Sequence, residues 1–544
     1  MSLRHQDPEL SGGEKDGIHT KEPLNIAVSE VEVGRKVTGI RWLIVVVSIL
    51  SSTFLYALDN TVMANVRPSI VETFGRIDML PWLSVSYPMG EVGSNPLWGK
   101  LYHQFDNKVL FLTSMVIFEA GSAIIGSAPS ADAVIVGRAI AGFGGSGIYV
   151  GTIGIISAMT VPFERAQYLN FVGMAWSLGT ILGPIIGGAF ADSSATWRWA
   201  FYINICIAAL AAPACILIIP SVPSSTPYSI SERFRRFDYV GAVLFIGGVA
   251  SIVMVLGFGG AVYDWRSGQM ISLYVVVAVV WAAFSLQQGL GLFTVDRIFP
   301  AQFVADWEMV NLFCWTSIAI ANVVVTIYTL PLFFQFTFND SSLHSAVYMI
   351  PFVAAVVVGA GAGGPLFAKF PVYMAWFAGS SALMLIGSGL LSTINYTISR
   401  GAICGYTVIQ GLGCGPVIQL SYTVGQVKVP RLVVPQVTSF LTCAQMAGLA
   451  LSLGIATSVF LNGATADIAA ILPNSPRDLI QASIDGAETG LFQSLSADVR
   501  LRVLEAISKN IGKVFYLNIA GAGVGFVTSF LMKRERLALD HSLT

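Results

Sequence analysis

The feature that most constrains this chain is a series of fourteen apolar runs, each near the roughly 20 residues that a helix needs to cross a bilayer core. Read with a window of about 19 residues, they fall near 41–64, 80–101, 109–128, 133–159, 167–190, 199–219, 239–257, 270–292, 308–337, 345–368, 372–394, 401–424, 435–461 and 511–532. No single water-soluble core absorbs so many such runs, so the solvent of this chain is lipid. In lipid, each backbone amide and carbonyl must find its partner inside the protein. The expected fold class is therefore all-α, a polytopic membrane protein with fourteen transmembrane helices. Charged residues make up only 11% of the chain, against about 25% in soluble domains. Of the 61 acidic and basic residues, 12 lie in the first 38 positions. Nucleic-acid binding, secretion as a soluble protein and cytosolic enzymology are excluded on this pattern.

Lysine and arginine collect in alternate loops, which sets the orientation. Arg35, Lys36 and Arg41 precede the first span, and Lys100 and Lys108 lie between the second and third. Arg165, the Arg233/Arg235/Arg236 group, Arg297, Lys369, Lys428 with Arg431, and Lys533/Arg534/Arg536 continue the series. Both termini are expected in the cytoplasm. Residues 1–38 are polar and lack an apolar core, so they read as a disordered cytoplasmic tail rather than a signal or transit peptide; 537–544 form a short second tail. The sequons at Asn339 and Asn395 fall in exterior loops, where glycosylation is expected. The longest exterior connection, 462–510, contains an amphipathic segment around 490–509.

Cofactor chemistry has no support. All six cysteines lie in apolar stretches without a CxxC pair, and the five histidines avoid the span centres, so no disulfide framework and no metal site are expected. "GFGGSG" at 142–147 matches a dinucleotide-binding pattern, but it sits inside an apolar run with no strand before it and reads as helix packing. No ATP site is visible, which leaves an ion or substrate gradient as the energy source.

Charge at membrane depth is costly and marks function by default. Asp59, Glu91, Glu119 and Arg138 lie at depth in the first four spans. Arg138 has the strongest case, because a guanidinium stays charged and must find a carboxylate, a carbonyl or water. Spans 9 to 14 offer polar and aromatic residues instead: Tyr328, Gln335, Gln410, Gln419, Tyr422 and Gln445. Glycine is the second signal. Gly179, Gly183 and Gly187 recur every four residues in the fifth span beside Pro184 and Gly188. Small residues at this spacing let helix backbones approach closely.

Together these motifs resemble those of the Major Facilitator Superfamily, in its fourteen-spanning drug:proton antiporter branch, and are similar to those of fungal efflux pumps for toxins and secondary metabolites. "ALDNTVMANVRPSIV" (57–71) looks like the first-span signature, "GRAIAGFGGSG" (137–147) like motif B through Arg138 and Gly142, and "LGTILGPIIGGAF" (178–190) like the antiporter motif C. Motif A departs from the pattern: in "GKLYHQFDNK" (99–108), Gly99, Leu101 and Lys108 remain, but His103, Gln104 and Asp106 replace the acid, the arginine and the glycine.

The resemblance implies six-helix bundles at 39–219 and 295–536, joined by a loop and two inserted helices at 220–294. It implies proton coupling through Asp59, Glu91 and Arg138, and conformational roles for the glycines and proline of motifs A to C. Substrate would be a small amphiphile bound by Tyr328, Phe334, Gln335, Gln419 and Gln445. It also implies a monomer in the plasma membrane, or a vacuolar or vesicular one, with protons, substrate and the bilayer as its partners and no cofactor. The alternatives are an importer such as a siderophore carrier, which motif C disfavours, and a non-transporting receptor.

Overall fold

The computed structural model describes residues 37–76, 79–191, 193–221, 228–260, 262–340, 342–430, 433–484 and 495–537. Nearly all of the two expected tails, residues 485–494 of the long exterior connection, and Ser341 of the first sequon lie outside these residues. The long helices are α1 (Gly39–Phe74), α2 (Leu80–Gln104), α3 (Asn107–Gly126), α4 (Ala131–Met159), α5 (Pro162–Ala191) and α6 (Trp199–Leu217). A short helix α7 (Ile230–Arg235) precedes α8 (Tyr239–Phe258) and α9 (Gly268–Leu290). The remainder comprises α10 (Trp307–Phe338), short α11 (Ser342–Val347), α12 (Ile350–Lys369), α13 (Tyr373–Ser392), α14 (Arg400–Ile418), α15 (Leu420–Val427), α16 (Val434–Ile471), short α17 (Arg477–Ile484) and α18 (Ala497–Ser529).

Thirteen described segments are long and apolar enough to cross a membrane, one fewer than the fourteen apolar runs. The difference is α2. It has 25 residues but carries Glu91, Asn95 and Lys100, and it packs against α4, α8 and α16. A helix enclosed by protein tolerates polar side chains that a lipid-facing one could not. Two details refine the runs. The twelfth is one span, Arg400–Val427, with a break inside it: α14 ends at Ile418 and α15 begins at Leu420, with Gln419 at the interruption shortly after Pro416. The amphipathic segment near 490–509 is, from Ala497 onward, continuous with the last span as α18.

Local chemistry explains several helix starts. Asp106 caps α3 by accepting the Lys108 and Val109 amides, and Ser130 and Ser267 cap α4 and α9 through their hydroxyls. Asn339 ends α10 in the left-handed region at φ 54°, which Asn tolerates better than most side chains. Asp238 is buried at the head of α8 and gathers four donors: the Gly241 amide at 2.8 Å, Gln287 Nε2 at 2.9 Å, Gln288 Nε2 at 2.6 Å and the Ile298 amide at 3.2 Å. It thereby clasps the start of α8 to the end of α9.

In the first half, α1 packs on α5 and α6, α3 on α4 and α6, and α2 on α4. In the second half, α10 packs on α16 and α18, α12 on α14, and α13 on α14 and α18. The halves meet through α2 and α4 against α16, and through α5 against α12 and α15. The α8 helix lies along α2 and α16, and α9 packs on α8.

Candidate functional site

The stretch of α1 that carries Asp59 packs closely against α5, while Asp59 itself is bonded from α4 and α6. A Cβ added at Gly179 would stand 2.4 Å from the Phe54 carbonyl, one at Gly183 2.0 Å from Thr61 Oγ1, and one at Gly187 2.8 Å from the Val62 carbonyl. The glycine stripe therefore presses directly on the stretch of α1 that carries Asp59, and any side chain there would push the two helices apart. Gly142 does the same for Glu91: its added Cβ would lie 2.3 Å from the Tyr87 carbonyl and 3.1 Å from the Glu91 amide.

Arg138 on α4 meets Asp59 in this interior. Its Nη1 donates to Asp59 Oδ2 at 2.8 Å and to the Asp59 carbonyl at 2.9 Å, both side chains being almost wholly excluded from solvent. Asn204 on α6 donates to Asp59 Oδ1 at 3.1 Å and to Ser122 Oγ on α3 at 3.3 Å. The guanidinium also lies 4.3 Å from the centre of the Tyr87 ring, within range of a cation–π attraction. Such burial costs each ion several kcal/mol, and only good geometry with further hydrogen bonds offsets it. The four helices α1, α3, α4 and α6 thus converge on one charged node.

Glu91 sits beside that node and links it to the other half. Tyr56 donates its hydroxyl to Glu91 Oε1, while Glu91 Oε2 is buried with no hydrogen-bond partner. The Tyr56 ring stacks on Tyr149, centroids 5.4 Å apart. Tyr149 in turn donates to Gln445 Oε1 at 3.1 Å and accepts from Gln419 Nε2 at 3.2 Å; Tyr422 donates to the same Gln445 oxygen at 2.7 Å. Gln445 Nε2 and Gln419 Oε1 are buried and unpartnered. A continuous path of polar and aromatic groups therefore runs from Glu91 to the two glutamines across the junction of the halves.

Of the predicted site residues, Asp59, Glu91, Arg138, Gln419 and Gln445 come together here. Tyr328 on α10 also reaches this node, lying within range of the Arg138 and Glu91 charges; Gln335 is half-buried on α10, whereas Phe334 is fully buried in an aromatic cluster, stacked on Tyr348 at 5.1 Å and on Phe338 at 6.1 Å. Glu119 lies on α3 apart from the Asp59–Arg138 hydrogen bonds, with one buried, unpartnered oxygen. Asn339 and Asn395 are exposed. Sequence reasoning passed over Tyr56, Tyr87, Ser122, Tyr149 and Asn204; the signal present but unused was a hydroxyl or amide at depth in otherwise apolar helices.

A second node of the same construction lies in the other half. Thr326 on α10 donates to Gln410 Oε1 at 2.9 Å, Gln410 Nε2 donates to Ser388 Oγ on α13 at 3.0 Å, and Ser388 donates to Asn322 Oδ1 at 3.2 Å. Asn518 on α18 donates to the Asn322 carbonyl at 3.4 Å. Every member is neutral.

Motif A proves to be a contact surface. Gly99 faces Ser439 of α16, where an added Cβ would overlap the serine side chain, and Ser439 Oγ donates to the Asn95 carbonyl at 3.3 Å. Asp106, in the place of the family's glycine, is the α3 cap and accepts from Ser221. Arg233 of α7 donates to the Gln104 carbonyl and stacks over Phe105. Lys108 is half-buried and engages Asp106 through its backbone amide. On the second half, Lys428 contacts Glu308 and Glu535, each at 2.6 Å. The hydrogen bond from Lys428 holds the Glu535 carboxyl below the usual carboxylate range.

A bundle of membrane-spanning helices whose halves meet over a buried polar path is the architecture of a secondary transporter. The chain belongs to the Major Facilitator Superfamily, whose sequence profile matches residues 49–453; it is a multi-pass membrane transporter, not an enzyme. It is 42% identical over 505 residues to the MFS-type transporter pgmG of Aspergillus terreus, covering 92% of this chain and 90% of that one. It is 37% identical to the efflux pump alnA of Emericella nidulans, covering 94% and 93%. The fold is also that of the human organic anion transporter MFSD10, with a TM-score of 0.54 at 15% identity over 88% of this chain and 99% of that one.

Proposed function

We propose that this chain exports small amphiphilic organic compounds, of the secondary-metabolite or toxin kind, in exchange for protons. The observation that carries the reading is the buried Asp59–Arg138 pair beside Glu91, with Glu91 joined through Tyr56 and Tyr149 to Gln445 and Gln419. With both carboxylates ionised, the three groups carry a formal charge of one negative unit in a medium where unpaired charge is expensive; one proton neutralises them. Glu91 Oε2, lacking a partner, is the atom that receives it. Protonation alters the bond to Tyr56, and through the Tyr56–Tyr149 stack it alters what Gln445 and Gln419 offer a substrate.

Export rather than uptake is supported by the relatives named as efflux pumps and by the motif C stripe. Alternating access follows if segments 39–219 and 295–536 rock about their junction, with 220–294 as the inserted pair. In this reading the positively charged loops and both termini are cytoplasmic, and the contacts of Gly99 with Ser439, Ser157 with Gln426 and Gly173 with Gln419 close the cytoplasmic side. The working unit is a monomer in the plasma membrane or a vacuolar or vesicular membrane, with Asn339 and Asn395 on the glycosylated face.

The test is transport in vesicles under an imposed pH gradient. Asp59→Asn and Arg138→Ala should each abolish gradient-driven substrate movement while the protein still inserts. Undiminished coupling in both variants would sink the proposal.

A further inference from the structure

A cavity of about 710 Å³ shares none of its lining residues with the polar path and lies between α2, α16 and the inserted helices. The linker helices α8 and α9 form one wall through Phe245, Val253 and Trp281, and Val92, Phe313 and Ala447 contribute to the other. Only Ser285 and Gln288 interrupt the apolar lining, and the Gln288 amide is committed, donating to Asp238 and accepting from the Phe299 amide at 3.2 Å. Among the described lining residues, that leaves the Ser285 hydroxyl as the one polar group to meet a solute in an otherwise apolar slot. Most of its lining lies on α8, α9, α10 and α16, all long and apolar enough to cross a membrane, and the rest includes Phe299, Val304 and Ala305 just before α10.

The edge of the lining at Gly289, near the end of α9, has a different chemistry. There exposed Arg297 donates to the Gly289 carbonyl at 3.2 Å. Around it, Leu290, Phe293, Val295 and Trp307 are all more than half exposed, and Phe293 is held at φ 60°. Exposed aromatics beside a cation are the pattern of the membrane–water interface. Apolar depth, an aromatic rim and a cation at the rim match a phospholipid: a chain to fill the slot and an anionic head to meet the guanidinium.

We propose that this cavity holds one acyl chain of an anionic phospholipid, with its headgroup at Arg297. The chain wedges between the α8–α9 pair and the α2–α16 junction. It touches Val92, the neighbour of Glu91, and Cys443, two positions before Gln445, and so stiffens the backbone behind the transport path. The inference stands independently of proton coupling or the direction of transport.

The test uses the full chain purified in mild detergent, exposed to phosphatidylserine, phosphatidylcholine or a free fatty acid, with retained lipid read by native mass spectrometry. The expected result is one phosphatidylserine per chain, retained in preference to phosphatidylcholine. Ala447→Trp, which fills the slot, should lose the lipid. Arg297→Gln, at an exposed position that leaves folding intact, should keep a lipid but lose the preference for the anionic head. Gel filtration of each variant establishes that it is folded. Equal retention of both phospholipids by the unaltered protein, unchanged retention by folded Ala447→Trp, or capture of the fatty acid in place of phospholipid would each overturn the proposal.

Discussion

The two halves of the molecule build the same kind of node from different chemistry. In the first, α1, α3, α4 and α6 meet through Asp59, Ser122, Arg138 and Asn204; in the second, α10, α13, α14 and α18 meet through Asn322, Ser388, Gln410 and Asn518. Gln410 stands to Asn322 and Ser388 much as Arg138 stands to Asp59, with amide in place of ion. The lesson is that a polar crossing point is enough to hold four membrane helices in register, and charge is not required for that. Charge in the first node therefore needs another reason, and the proton coupling proposed above would be one.

The sharpest way to break this comparison is to empty each node in turn. Arg138→Ala leaves Asp59 buried without its cation, and removing one partner of such a pair costs about 3–5 kcal/mol; thermal unfolding in detergent should fall substantially, together with loss of pH-driven transport. Gln410→Ala leaves only neutral groups unsatisfied, about 1–3 kcal/mol, and should lower stability less while keeping the response to a pH gradient. If both variants lose the gradient response equally, the nodes do not differ in role.

Helix spacing gives a second contrast of intermediate size. Gly183→Ala places a Cβ 2.0 Å from Thr61 Oγ1, and overpacking of this kind costs about 1–3 kcal/mol. Gly379→Ala on α13 meets nothing within 4 Å and should be neutral or stabilising by up to about 1 kcal/mol, as in an open helix position. Melting temperatures of the two variants check this directly, and a shift for Gly379→Ala as large as that for Gly183→Ala would refute it.

Across the junction, Tyr149→Phe keeps the stack on Tyr56 but removes the hydroxyl shared by Gln445 and Gln419. Stability should change by about 1 kcal/mol, while substrate affinity changes more than the pH response does; direct binding measurements at two pH values separate these effects. The smallest effect is expected at Glu535. Its carboxyl titrates below the usual range because Lys428 stabilises the charged form, so the clasp is complete above that usual range and is lost as pH falls through the lowered value. Glu535→Gln should remove that acid sensitivity at a cost of about 1 kcal/mol or less, read from proteolysis of the segment after α18 at different pH values.

Much of this arrangement is legible in the chain before any coordinates. Asp59 and Arg138 announce themselves because charge inside an apolar run is rare, and Gly179, Gly183 and Gly187 because their spacing is that of one helix face. Tyr56, Tyr149 and Asn204 are silent for a physical reason: a hydroxyl or amide in a span is cheap enough to occur anywhere, and its role depends on a partner contributed by a distant helix. Phe334 illustrates the converse, since its apolar area is spent on Tyr348 and Phe338 rather than on the path. The α2 helix escapes a hydropathy criterion because protein, not lipid, surrounds much of it.

The interruption at Gln419 has a mechanical consequence. An unbroken helix behaves as a rod and spreads a lateral load along its length, whereas α14 and α15 are two shorter rods meeting at the residue whose side chain holds Tyr149 of the opposite half. Any tension between the halves would thus be delivered to a few backbone torsions, and the second bundle would yield first at the point where the first one holds it.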